Sequence, residues 1–408
     1  MSLLLAHILE WLPVAVFSLL PVMGLVAGPS YAPLLFAMGV ICLILRIVSE
    51  GRFPPFDKAL CALAVALVIL ALAGTTWSIV PQETLNHAVQ MGGVYAGAIV
   101  VLAVPPFRPE TVDRLFSFMR IAFVIGALIM AADVATGYPL ISRLVHSSGI
   151  ANAPTKYIRG VDYALLISWP LLFWLWNRRD WRGLIGVALS VSTIVLLGLG
   201  TTAKVAIVLS ALVLAMAWKF PRLVTRSLMG VLAVWMVTLP LSLRALSTLR
   251  HLFPDLPIKA SAIHRFEIWD YMTARVFERP LFGWGLGAAT KVPIKPEELA
   301  SYRFVLPSGN YAHNQGLELW LESGALGALI GLLFVLLVLV RIGRLPSTMV
   351  PFALGAFTTA LCVSMTGIRT TTDSWFAALA ACAYLFMAAR SVAAPIENLD
   401  GGANQPSV

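Results

Sequence analysis

The chain has 408 residues, 59% of them hydrophobic and only 12% charged, with a mean hydropathy of +0.86 and a net charge of +9. A soluble domain carries about twice that charged fraction, so the soluble globular classes are excluded. Apolar runs long enough to cross a ~30 Å hydrocarbon core recur from end to end. The basic excess is that of a membrane protein with cationic loops and does not call for a nucleic-acid partner.

In chain order the hydropathy pattern predicts twelve spans: 12–28, 31–48, 59–77, 86–104, 116–136, 162–176, 183–199, 202–218, 225–242, 317–340, 350–366 and 373–390. The fold class is therefore all-α, a polytopic membrane helical bundle. The first span lacks a basic leader and a small-residue cleavage pattern, and is expected to be a retained membrane helix. Cys42, Cys61, Cys362 and Cys382 all lie inside apolar runs and read as small hydrophobes rather than as a disulfide or metal framework. Gly198 to Thr202 must turn the chain between two helices in very few residues.

Lys and Arg set the orientation. Fifteen lie in the short connections of one side or beside the C-terminal tail, against five (Arg143, Lys156, Arg159, Lys204 and Arg369) in the short loops of the other. That bias puts both termini in the cytoplasm. The remaining nine fall in one long outer segment, 243–312, and long segments translocate largely regardless of charge. Residues 1–390 are expected to form one unit that includes this loop, and the polar tail 391–408 to be cytoplasmic and disordered. Gly283, Gly285 and Gly287 resemble a phosphate-binding loop only superficially, since no strand precedes them.

The outer face carries the chemistry. Over 261–279, Ile263, Phe266, Trp269, Met272, Val276 and Phe277 recur at helical spacing. Opposite them lie His264, Arg265, Glu267, Asp270, Arg275, Glu278 and Arg279 as a charged, solvated face. Such a helix lies in the membrane interface and roofs the bundle. Cations gather at Arg143, Lys156 and Arg159 before span six, at Lys204, and at Arg265. A Lys inside an apolar run costs about 2.5–3.5 kcal/mol on insertion scales, so Lys204 either snorkels to the interface or faces a cavity, an anion or a partner. Together these cations suit a lipid-linked phosphate: Arg offers a bidentate fork and Lys a point charge. The stretch 307–312 breaks regular structure, and His313-Asn314 then opens span ten. The positive end of a helix keeps a histidine there neutral, ready to accept a proton from a hydroxyl. His264 and His146 are rival bases on the same face.

His313-Asn314-Gln315-Gly316-Leu317, continuing to Glu322-Ser323-Gly324-Ala325-Leu326-Gly327, resembles the His-Asn signature of the O-antigen ligase and polymerase superfamily. Arg265 and Trp269, followed by Pro280-Leu281-Phe282-Gly283-Trp284-Gly285-Leu286-Gly287, resemble that family's upstream segment. One departure is Lys204, in Thr201-Thr202-Ala203-Lys204, where the family usually has an Arg: charge is kept and the fork is lost.

The resemblance implies a metal-independent, inverting glycosyltransferase that needs no cofactor, in the bacterial inner membrane with its site facing the periplasm. The donor would be an O-antigen on undecaprenyl diphosphate, and the acceptor a hydroxyl of the lipid A core. His313 would be the base, with Arg265, Lys204, Arg159 and Lys156 gripping the diphosphate. Asn314 and Trp269 would support them, Gly283, Gly285 and Gly287 would allow close approach of lipid or glycan, and Glu322 would orient a neighbour or pack within the bundle. Gly324 and Gly327 would let span ten lie close against another helix. The polymerase of the same superfamily is the nearest alternative. A protein-directed oligosaccharyltransferase fits less well, since this chain offers little outer region at its C-terminus. A flippase would place ionisable groups at the midplane of paired, interrupted helices, whereas these charges gather on one face.

Overall fold

The chain's low charge and long apolar runs leave it little choice but helix, because in lipid every backbone N–H and C=O must be satisfied within the segment. The computed structural model describes residues 3–104, 108–144, 153–252, 260–306 and 309–392, and among these the regular structure is entirely helical. His146, positions 307 and 308, and the tail beyond 392 lie outside the described residues.

The helices are α1 (Leu3–Ala27), α2 (Tyr31–Glu50), α3 (Lys58–Gly74), α4 (Pro81–Leu102), α5 (Pro109–Ala135), α6 (Pro139–Leu144), α7 (Ala153–Asn177) and α8 (Trp181–Leu197). There follow α9 (Thr201–Lys219), α10 (Pro221–Leu252), α11 (Ala260–Glu278), α12 (Pro296–Leu299), α13 (Gln315–Ile342), α14 (Val350–Ser364) and α15 (Asp373–Val392). Each predicted span falls on one of them. Eight stretches are long and apolar enough to cross a membrane by length and composition, and the first, His7–Glu50, contains both α1 and α2. The apolar helices α3, α8 and α14 are shorter, at 17, 17 and 15 residues.

At the centre stands α7, packed on α1, α8, α14 and α15. Every residue from Val161 to Leu171 is buried, Asp162 and Ser168 among an otherwise apolar or aromatic set, as befits a helix enclosed on all sides. Its approach to α1 is closest at Gly160, where a Cβ would overlap the Gly24 carbonyl.

The connections sort into two ends. At one, Arg120 pairs with Asp180 at 2.7 Å, Arg341 with Asp57 at 2.6 Å, and Arg178 with Asp113. At the other, the Tyr157 hydroxyl donates to Asp133 at 2.6 Å, Tyr163 and Ser374 share a hydrogen bond, and Trp77 Nε1 donates to the Phe282 carbonyl at 3.3 Å. The cation-rich short connections thus share one end of the bundle, and the residues expected to react share the other.

Three features near the outer segment differ from expectation. Helix α10 runs ten residues past 242, because Leu239, Leu243 and Ser247 keep a four-residue spacing beneath the polar letters. The Ser247 hydroxyl donates to the Leu243 and Phe266 carbonyls, tying α10 to α11. Helix α7 begins at Ala153, so Lys156 and Arg159 sit on its first turns rather than in a loop. The third difference is α11, whose charged face is not solvated. Glu267 accepts the Phe304 N–H at 2.7 Å and Asp270 accepts the Tyr302 hydroxyl at 2.8 Å. Arg275 is buried between Glu278 and Glu298. That face carries the 292–306 segment, while the apolar face packs on α10 and α13.

Replacing Gly160 by Ala forces α1 and α7 apart. It should destabilise the protein by about 1–3 kcal/mol, the usual range for overpacking. Gly93→Ala, with nothing within 4 Å, is the control. Thermal melting in detergent should show a lowered Tm for the first and none for the second.

Candidate active site

The site is built on a broken helix. Gly324, inside α13, has φ 62° and ψ −160°, a backbone region essentially reserved for glycine. The groups a continuous helix would pair across that point find partners in the loop after α11 instead. Trp284 and Gly285 N–H donate to the Leu321 and Glu322 carbonyls, both at 2.9 Å. Ala325 N–H donates to the Pro280 carbonyl at 2.8 Å, and Leu326 N–H to that of Leu281 at 3.4 Å. The half-helix 315–323 is thereby held as a unit of its own.

The loop glycines serve this interlock. Gly283, Gly285 and Gly287 have φ of 68°, 101° and 82°, and all are buried. A Cβ on Gly283 would come within 2.5 Å of the Glu322 backbone, while on Gly285 and Gly287 it would strike Ser78 and His87. They were expected to give a lipid or glycan close approach; in the structure they meet the chain's own α13 and α3–α4 region. Gly327 likewise makes room for Ser323 of its own helix, and Gly324 for the Leu281 backbone, rather than for a neighbouring span.

At the other end of the half-helix, Asn314 is the N-cap: its Oδ1 accepts the Leu317 N–H at 3.0 Å. His313 therefore stands one residue outside the helix, with φ 50°, a left-handed conformation uncommon for a residue with a side chain. Trp269 Nε1 donates to the Ala312 carbonyl at 2.8 Å and fixes the peptide just before it. The His313 ring lies against Tyr311, with centroids 3.9 Å apart, and edge-on to His264 at 5.9 Å. Its pKa is pushed down to about 4, first by burial and then by the positive charges of Arg265, His264 and Arg159. The direction is the one expected from a helix N-terminus, but burial and cations lead. His264 is lowered as well, by burial before Arg265.

The cations converge from separate elements. Arg265 Nη2 donates to the Thr366 carbonyl at 3.3 Å, and Thr202, on the turn that presents Lys204, shares a 2.9 Å hydrogen bond with the Thr366 hydroxyl. Gly200, just before that turn, packs on Ile158, the neighbour of Arg159. Arg265 and Arg159 thus lie near His313, while Lys204 stands half-buried on the first turn of α9, two residues past Thr202. Lys156 and Arg143 are solvent-exposed. Glu322 is buried, and its Oε1 faces the Ala289 N–H at 3.3 Å, so it both packs and holds the loop.

Tyr311, Gln315 and Thr366 contact the candidate groups or the backbone beside them without a motif to mark them, and Arg369 read only as a marker of topology. Tyr311 and Gln315 lie within two residues of His313, which was the one available signal. Nothing in the sequence pointed to Thr366.

Comparison with known proteins bears on this arrangement. Residues 186–332 match the O-antigen ligase family. The matched stretch runs from α8 to the middle of α13, and so holds Lys204, Arg265, the glycine loop, His313 and the helix break. It supports the O-antigen ligase superfamily for this chain. A Rickettsia conorii protein named as a polysaccharide ligase is 29% identical over 92 residues, which is 22% of this chain and 22% of that protein. The match thus spans about a fifth of the length of the relative.

Gly283→Ala combines a left-handed φ with a clash against α13 backbone and should uncouple loop from half-helix. Gly309→Ala, with φ 87° but nothing within 4 Å, carries the conformational strain alone, roughly 1–2 kcal/mol. Thermal melting and activity should both fall further for the first than for the second.

Proposed function

We propose that the protein is an O-antigen ligase, transferring a glycan from undecaprenyl diphosphate to a sugar hydroxyl of the lipid A core at the periplasmic face of the bacterial inner membrane. The observation that carries this reading is a neutral His313, fixed at the mouth of a capped half-helix, with Arg265 and Arg159 close enough to depress its pKa. That pairing matches the two needs of the reaction, a base for the acceptor and positive charge for the leaving group.

The acceptor hydroxyl oxygen attacks the anomeric carbon of the donor while its proton passes to the free imidazole nitrogen of His313. The bond from that carbon to the diphosphate oxygen breaks, and the diphosphate leaves with its negative charge met by Arg265, Lys204 and Arg159. Attack from the face opposite the leaving group inverts the anomeric centre. Lys204 keeps the charge at its position but gives a point contact in place of a fork. Lys156, exposed three residues before Arg159, would meet the donor only at the rim of the site. Arg143, also exposed, has no part in the step. In this reading residues 1–390 form one catalytic unit, and the end of the bundle bearing the cation-rich short connections faces the cytoplasm.

His313→Ala should lower the rate about 10²–10⁴-fold in a reconstituted transfer assay. A near-normal rate would sink the mechanism. In cells, deletion should leave intact core without O-antigen while lipid-linked polymer accumulates. Core carrying a single repeat unit would point to the polymerase instead, and donor trapped on the cytoplasmic side to a flippase.

The base works unprotonated, so the acid limb of kcat/KM follows the pKa of His313 in the empty enzyme. With that pKa near 4, activity should persist well below pH 6.5. Removing a neighbouring positive charge makes protonation easier, so Arg265→Ala should move the limb to higher pH. A limb that stays put would exclude His313 as the titrating group.

A further inference from the structure

The connection between α14 and α15 is fastened more firmly than a surface turn requires. Gln315 Nε2 donates to the Arg369 carbonyl at 3.1 Å, and the N–H of that same peptide, on Thr370, donates to Glu318 Oε2 at 2.8 Å. Both partners lie on the half-helix that His313 precedes, so the peptide that follows Arg369 is fixed at both its C=O and its N–H relative to the proposed base. The guanidinium lies over the Tyr311 ring at 5.4 Å, and that ring lies tilted against His313. Thr366, three residues before Arg369, accepts from Arg265. Among the described residues Arg369 takes part in no ion pair. It is half-buried and stands outside the region that matches the ligase family.

A half-buried Arg on a fixed backbone, with no carboxylate paired to it, is preorganised for an anion, because little side-chain and loop entropy remains to be lost when one binds. We infer that Arg369 is a phosphate-binding residue of this site, held in place by Gln315, Glu318 and Tyr311. The inference rests on the transfer reading above. The phosphate belongs either to the lipid-linked donor or to a phosphorylated acceptor, and the guanidinium recognises both by the same chemistry.

The rival role for Arg369 is electrostatic. Glu318 and Glu322 are 1% and 4% exposed, on successive turns of α13, and a nearby cation would ease their burial. The two roles part in a double substitution. If Arg369 serves only as a counter-charge, Glu318→Gln should relieve much of the damage done by Arg369→Ala. If it binds phosphate, the double variant does no better than Arg369→Ala alone.

The test uses the full chain in lipid nanodiscs, with undecaprenyl-diphosphate-linked O-antigen and O-antigen-free lipopolysaccharide varied in turn. Arg369→Ala should raise KM for one of the two by about tenfold or more, as for the loss of a charge-assisted hydrogen bond. Arg369→Lys should recover part of it. A raised KM for the O-antigen carrier assigns the phosphate to the donor, and a raised KM for lipopolysaccharide to the acceptor. Unchanged KM for both substrates, or recovery of activity in the double variant, overturns the inference. Should Arg369→Ala not be recovered folded, Arg369→Lys is measured alone, and a wild-type KM for both substrates overturns it equally. His313→Ala, run alongside, separates the two layers. If it is inactive while Arg369→Ala is normal, the transfer reading stands and this inference falls. If it is active, the transfer reading itself falls.

Discussion

Much of this molecule hangs on four backbone hydrogen bonds at the break in α13. A membrane helix cannot leave N–H and C=O groups bare, so an interruption is tolerated only where something else supplies their partners. Here the Pro280–Gly287 loop does so from both sides of Gly324. This one exchange docks the outer segment onto the bundle and fixes the roof helix above it through Trp284, whose ring nitrogen donates to the Arg275 carbonyl at 2.9 Å. It also isolates a short half-helix that carries Asn314 at its tip and, just beyond, His313.

The electrostatics follow from that scaffold. Positive groups arrive on α7, α9, α11 and the α14–α15 connection, and α9 and α11 both reach Thr366, through Thr202 and Arg265. Elsewhere the bundle pairs its charges: Arg120, Arg178 and Arg341 all have acidic partners at the opposite end. Like charges gathered at one end of a bundle repel one another, and a bound anion would relieve that repulsion. Burial, with the same field added to it, lowers the proton affinity of His313 and His264.

The spans were legible because an 18-residue apolar run has few other readings, and the motifs that carry His313, Asn314, Arg265 and Trp269 already suggested that these residues lie together, as they do in the structure. What stayed hidden was anything decided by a long-range partner. Gly324 reads as one small residue among many in a span, and only the distant Pro280–Gly287 loop turns it into a break. The charged letters of α11 read as a wet face because the 292–306 segment that covers them has no periodicity of its own. Arg244 and Arg250 read as the start of a loop, yet Ser247 bonds to α11 and lets α10 continue. Arg369 reads as a topology marker because Gln315 and Glu318, which hold it, lie more than 50 residues away.

The interruption of α13 also bears on how the protein meets membranes of different thickness. A continuous helix answers a change in bilayer thickness by tilting as a rod, and the tilt moves both of its ends. In this chain the lower portion, 325–342, meets the upper one at a glycine whose backbone is already turned out of helical geometry. Tilt of the lower portion would load the Ala325 and Leu326 hydrogen bonds to the loop first, while the upper portion is separately fastened through Trp284, Gly285 and the α14–α15 connection. The reacting groups would then keep their mutual spacing as the surrounding lipid thins or thickens.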